Sequence, residues 1–160
     1  MSDVSTKTAC KDSFDAIVET GCTTTFFKFQ WTAKDLTKYP TDKHPYDEYA
    51  SSPVLYPLKS QSCKFEICNL RGERGYGKPE LVMNFSCKTM TYITLNLSFS
   101  DTNGEVLCKI EKDLKFNYNR YNSAIEIEEL ARKILKMSED TVIITCEMKI
   151  SQIQSVLQTF

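Results

Sequence analysis

Two alternating segments near opposite ends of the chain constrain its fold more than any other feature. The first is Thr25-Phe26-Phe27-Lys28-Phe29-Gln30-Trp31-Thr32. Phe27, Phe29 and Trp31 share one face at the two-residue period of a strand, with Lys28 and Gln30 on the other. The second runs from Ser138 to Ile150 and puts Val142, Ile144, Cys146 and Met148 on one face. A chain that opens and closes with half-buried strands, with several more between, predicts an all-β antiparallel sandwich. Such a sandwich without a catalytic constellation argues for a binding module.

The segments between follow the same logic. Strand two spans about 50–58, where Pro53 and Pro57 predict an edge or a broken strand. Strand three, Cys63 to Leu70, turns Cys63, Phe65 and Ile67 to one side. Strand four, Glu80 to Cys87, alternates Leu81, Met83 and Phe85 with Glu80, Val82 and Asn84. Strand five, Tyr92 to Ser100, sets Ile93, Leu95, Leu97 and Phe99 against Thr94, Asn96 and Ser98. Asp101-Thr102-Asn103-Gly104 predicts a tight turn, because Asn-Gly supplies positive φ. Strand six, Glu105 to Lys112, pairs back on strand five, and a short strand follows near Leu114 to Tyr118.

The period then changes. Ser123 and Glu126 have capping-box spacing. Ile127, Leu130, Ala131 and Ile134 form one apolar stripe of a helix that ends near Met137. The last strand covers about 140–150. Residues 1–22 read as an arm with a helical turn around Phe14 to Val18. Residues 151–160, rich in Gln and Ser, read as a tail or the start of a linker. The domain is thus placed at 23–150, with about eight strands and one short helix before the last.

A chain of 160 residues buries roughly 70% of its unfolded surface without staples. Net charge is −1 with Lys and Arg dispersed, which argues against nucleic acid and anionic membrane as partners. The local basic excess from Arg71 to Lys78 reads as a solvated loop. Seven cysteines, an odd number, follow a polar N-terminus with no apolar leader. That predicts reduced thiols and a cytoplasmic or nuclear protein. No stretch reaches the ~20 apolar residues of a membrane span. The glycosylation patterns at Asn84 and Asn96 fall inside predicted strands.

Catalytic and metal readings are weak. His44, the sole histidine, sits beside Pro45 in a polar loop rather than where a base is held. Cys63 and Cys68 lack the spacing of a zinc pair, and no second Cys or His pair accompanies them. Glu128-Glu129 and Glu139-Asp140 read as solvated charge. Gly72, Gly75 and Gly77 lie between two strands, the wrong context for a phosphate loop. No catalytic residue, metal or cofactor is therefore assigned. The segment Phe116-Asn117-Tyr118-Asn119-Arg120-Tyr121-Asn122 differs: aromatics, amides and one Arg suit recognition of an extended peptide.

The order of segments resembles the MATH domain, the TRAF-like sandwich of meprins, receptor-associated adaptors and speckle-type POZ proteins. Phe27-Lys28-Phe29-Gln30-Trp31 resembles the opening aromatic strand, and Ser51-Ser52-Pro53-Val54-Leu55 the Ser-Ser/Pro segment. Leu95-Asn96-Leu97-Ser98 with Asn103-Gly104-Glu105 resembles the mid-domain strand and hairpin. Glu129-Leu130, Asp140-Thr141 and Thr145-Cys146-Glu147-Met148 resemble the late helix, turn and closing strand. The likeness covers about residues 23–150 and rests on order and spacing.

The resemblance implies an eight-stranded TRAF-like sandwich that binds short peptide motifs in a shallow groove. In speckle-type POZ adaptors a following BTB domain links such a groove to a cullin-type ubiquitin ligase. Carried over by position, the groove would use Asn84, Leu95, Phe116, Tyr118, Asn119, Arg120 and Tyr121, across strands four, five and seven. Asn84 and Leu95 stand where the family usually has aromatics, and Arg120-Tyr121 replaces its Trp-Gly-Phe element. A second reading is a structural or oligomerising sandwich with no peptide groove. A third, a secreted glycan- or receptor-binding sandwich, requires oxidised cysteines.

Overall fold

The alternation of Phe27, Phe29 and Trp31 is realised in the long first strand of a computed structural model that describes residues 14–38, 50–59, 61–70 and 78–159. Among the described residues the strands in chain order are β1 Ala16–Ala33, β2 Ala50–Ser51, β3 Leu55–Leu58, β4 Gln61–Cys68 and β5 Glu80–Phe85. They continue with β6 Thr91–Ser100, β7 Val106–Phe116, β8 Asn122–Glu126 and β9 Val142–Thr159. Among these residues one α-helix, α1 Glu128–Lys136, precedes β9. A 3-10 turn covers Leu36–Lys38.

The strands form two antiparallel sheets, an all-β sandwich. One is four-stranded in the order β1-β9-β6-β7; the other is five-stranded in the order β2-β4-β5-β8, with β3 also on β4. First and last strands are therefore neighbours, paired from Ala16↔Thr159 to Ala33↔Val142. The predicted inward faces meet between the sheets. Leu81, Met83 and Phe85 of β5 oppose Ile93, Leu95, Leu97 and Phe99 of β6, all buried in one core with Ile144, Cys146 and Met148 of β9. Each large side chain buried there stabilises by roughly 1.5–3 kcal/mol. Phe27, Phe29 and Trp31 pack on the same core from the edge and are half-buried.

Several boundaries differ from the sequence reading. The described residues form nine strands where about eight were expected: strand two is split, with Ser52 breaking from the ladder before Pro53 and β2 and β3 docking separately on β4, and β8, in a segment not expected to be a strand, offsets the merger of two others. No helical turn forms at Phe14 to Val18; Ala16 is already in β1, where the backbone pairs with β9. β9 likewise continues past Ile150 to Thr159. Strands six and seven are one continuous β7, held through Asp113 by its pairing with Thr94, whose hydroxyl donates to Asp113 Oδ1 at 2.9 Å.

The capping box is not used. Ser123 and Glu126 lie in β8, where β5 takes up their backbone groups, and the helix starts after Ile127 with no side-chain cap. The apolar stripe survives, with Leu130, Ala131 and Ile134 buried. The hairpin turn forms as expected, with Gly104 at φ 86 and Asp101 Oδ1 accepting the Asn103 and Glu105 amides, each at 2.9 Å. Asp140 is not freely solvated: it accepts the Thr37 hydroxyl at 2.6 Å. His44 and the glycines Gly72, Gly75 and Gly77 lie outside the described residues.

Candidate functional site

The outer face of the five-stranded sheet follows from strand parity. On β4 the residues between Cys63 and Phe65 point outward, which places Lys64 there. Lys64 pairs with Asn84 of β5, and Asn84 pairs with Asn122 of β8. Lys64, Asn84 and Asn122 thus form one row across three strands. Above it opens a shallow hollow of about 490 Å³. Ser62 and Lys64 line one wall, Asn84 and Ser86 the middle, and Tyr118 and Tyr121 the far side, with Val54 at the rim.

The tyrosines are held by a short turn between β7 and β8. Asn117 and Arg120 exchange backbone hydrogen bonds of 3.0 and 3.1 Å. The Asn117 side chain adds two more, its Oδ1 accepting from the Asn119 amide at 2.8 Å and the Arg120 amide at 2.9 Å. An Asx side chain that binds the backbone ahead of it fixes such turns. The Tyr121 carbonyl then accepts from the Phe85 amide at 2.8 Å, tying the turn to β5. Beneath it the Phe116 ring packs on Phe85 with centroids 5.5 Å apart. The result is a rigid turn with an anchored base and two outward aromatics: Tyr118 is 81% exposed and Tyr121 59%.

The structure brings together only part of the expected groove. Asn84, Tyr118 and Tyr121 line the hollow, and Asn119 and Arg120 are exposed on the same turn. Leu95 does not belong to it. It faces the core from β6, in the opposite sheet, and is fully buried. Phe116 is also fully buried and serves as the anchor of the turn, not as a contact surface. Strands four, five and seven cannot make one face, because β5 lies in one sheet and β6 and β7 in the other. Ser62, Lys64 and Val54 were missed. Lys64 was readable as the residue between two inward-facing neighbours; Val54 was not, since its place depends on the break at Pro53.

The electrostatics are mild. Among the described residues, Lys64 is the only charged side chain lining the hollow, and its Nζ lies 3.8 Å from Glu66. A half-exposed pair of that length holds the amine only loosely. Cys87 at the hollow's edge is pushed up from the ordinary thiol value by partial burial, against a smaller lowering by Thr91. Burial pushes the Cys63 and Cys68 thiols up to about 12 and that of Cys146 higher still. None of these is poised as a nucleophile, since the thiolate is the reactive form. Among the described residues, no group of three or more His, Cys, Asp or Glu side chains could hold a metal ion. No helix among them is long and apolar enough to cross a membrane.

No protein-family model matches the chain. No curated protein is significantly similar to it.

Proposed function

We propose that this chain is a non-enzymatic adaptor domain that binds an extended peptide segment of a partner protein on the outer face of the five-stranded sheet. The observation that carries this is the pair Tyr118 and Tyr121, exposed on a turn that its own hydrogen bonds hold rigid. Rigid exposed aromatics supply contact area at little entropic cost. Lys64, Asn84 and Ser62 beneath them can hydrogen-bond a peptide backbone or polar side chain. β8 ends the sheet; at 5 residues its outer edge is too short for a long strand-to-strand seam but offers main-chain groups to a short peptide. The working site is Ser62, Lys64, Asn84, Tyr118 and Tyr121, with Asn119 and Arg120 beside it.

The likeness in segment order to MATH domains supports the adaptor reading. Joined to a BTB domain, a domain of this kind would hold a protein substrate for a cullin-type ubiquitin ligase. Free thiols at Cys22, Cys63, Cys68, Cys87, Cys108 and Cys146 support a reducing compartment, cytoplasm or nucleus.

The test is a fluorescence-polarisation screen of an arrayed peptide library against the full chain. Binders are expected at micromolar affinity or weaker, about −8 kcal/mol or less favourable. The double substitution Tyr118→Ala and Tyr121→Ala should weaken them about tenfold or more with an unchanged melting temperature. Peptides that bind the double variant as tightly as the original chain would sink this site.

A further inference from the structure

A sheet edge invites pairing with another chain unless something blunts it. The other edges of this sandwich carry such devices. β7 presents Lys109, Lys112 and Lys115, and Lys112 stands on the core-facing side opposite Leu95. The β2–β3 edge breaks at Pro53 and shifts register between Leu55 and Leu58. β8 is only 5 residues long. β1 has none of these over its first twelve residues, before Lys28. It runs for 18 residues and pairs with β9 without a register shift. From Ala16 to Phe27 it holds no proline, no lysine and a single charge, Glu19.

The first part of β1 also stands clear of the sandwich. β6 follows β9 only as far as Gln152. Ala16–Cys22 and Ile153–Thr159 therefore form a two-stranded ribbon, an arrangement that is marginal alone in water. Even-numbered residues of β1 lie on its outer face, away from the core-facing Phe27 and Phe29. There Phe26 is 75% exposed and Val18 60%, with Leu157 directly across from Val18 and Ile153 across from Cys22.

We propose that β1 pairs antiparallel with β1 of a second copy, about a two-fold axis at Cys22. The register follows from the side chains. A two-fold axis perpendicular to a sheet keeps each face on its own side, so residues directly opposite share parity. With the axis at Cys22, Val18 meets Phe26 of the second copy, and the reverse, joining the two most exposed apolar side chains of the strand. Thr20 meets Thr24, Ile17 meets Phe27, and Glu19 meets Thr25. Aromatic–β-branched and Thr–Thr pairs stabilise antiparallel neighbours. An axis at Thr23 would set Val18 against Lys28, and one at Gly21 against Thr24. No like charges face each other in the Cys22 register.

The seam spans Ala16 to Lys28, roughly 40 Å of strand, and buries on the order of 800 Å² over both copies. That is below the usual stable interface, so the dimer is reversible. It joins the two four-stranded sheets edge to edge. The hollow beside Tyr118 lies on the other sheet of each copy and stays open.

Sedimentation equilibrium of the full chain tests this. The original chain should show a reversible monomer–dimer equilibrium. T20K/T24K places lysine opposite lysine across the axis and should weaken the dimer about tenfold or more. T20K/T24E places lysine opposite glutamate and should restore it to within about threefold of the original. Both variants lose the Thr20–Ser155 hydroxyl contact of 3.0 Å equally, so that loss cannot separate them. A thermal melt by circular dichroism establishes that each is folded. An original chain monomeric up to about 1 mM, or a T20K/T24E variant as disrupted as T20K/T24K, overturns the proposal.

Discussion

Gln152 of β9 donates from Nε2 to Oε1 of Gln61 in β4 at 2.9 Å, a side-chain bond that crosses from one sheet to the other. The same amide donates to Thr91 Oγ1 at 3.0 Å, and the Thr91 hydroxyl donates onward to the Thr89 carbonyl at 3.0 Å. Gln152 and Thr91 are both buried. This chain of bonds sits where β1 and β9 leave the sandwich, at the last rung of the β6–β9 ladder. Gln152→Ala removes the donor to the buried Thr91 hydroxyl and the half-buried Gln61 amide and should cost about 1–3 kcal/mol in urea denaturation. The double variant with Gln61→Ala should cost less than the sum of the two single variants, by about 0.5–1.5 kcal/mol. Strict additivity would mean that the bond across the sheets contributes nothing.

Phe116 and Tyr118 are two residues apart and should respond in opposite ways. Phe116 fills the core against Phe85, so Phe116→Ala should lower stability by about 3–5 kcal/mol. Tyr118 touches little of the fold, and Tyr118→Ala should change stability by less than about 0.5 kcal/mol. Binding of any peptide ligand should show the reverse order once each variant is measured at a temperature where it is folded. Equal losses of stability would mean that Tyr118 is a structural residue.

The sandwich was legible because alternation survives wherever one face of a strand is buried. β5, β6 and the first half of β9 could be placed by period alone. The ends of β1 and β9 could not: Thr20, Gly21, Ser155 and Gln158 have water on both sides, so no face is marked by apolar residues. Ser123 misled for a related reason. A Ser three residues before a Glu caps a helix only if the local backbone is free to turn, and pairing with β5 had already taken it. At the site, Leu95 was legible as core from its own alternation with Ile93, Leu97 and Phe99, and positional likeness pointed the other way. Tyr118 and Tyr121 were found by composition. Lys64 and Ser62 come to lie beside them only through the β4–β5–β8 strand order, which no local pattern encodes.

Ser52 replaces part of a strand. Its amide donates to the Phe65 carbonyl at 2.8 Å, and its Oγ accepts from the Phe65 amide at 2.9 Å. Pro53 ends the regular ladder at this point, and the hydroxyl supplies the acceptor that a backbone carbonyl would otherwise give. Ser52→Ala leaves the buried Phe65 amide unpaired and should cost about 1–3 kcal/mol. Ser52→Thr keeps the oxygen and should cost less. Chemical denaturation of the three proteins side by side checks this order.

Alkali should unfold this protein through its buried thiols. The ordinary thiol value is 9.0, and burial pushes Cys63 and Cys68 up to about 12 in the folded chain. Below pH 9 both states hold the proton and stability is unaffected. As pH rises above 9 the unfolded chain releases it while the folded chain keeps it, so the unfolded state binds fewer protons and folding stability falls. The loss continues until pH passes about 12, where the folded thiols also ionise. Each such thiol contributes a slope of about 1.4 kcal/mol per pH unit in that window. Cys146, raised in the same direction by burial and by neighbouring Cys63, steepens it. Cys63→Ala should therefore flatten the decline of stability between pH 9 and 11 by about one thiol's share, whatever its effect at pH 7. Urea midpoints across that range, measured with reductant present, are the test. A slope that Cys63→Ala leaves unchanged would show that the Cys63 thiol ionises in the folded chain as readily as in the unfolded one.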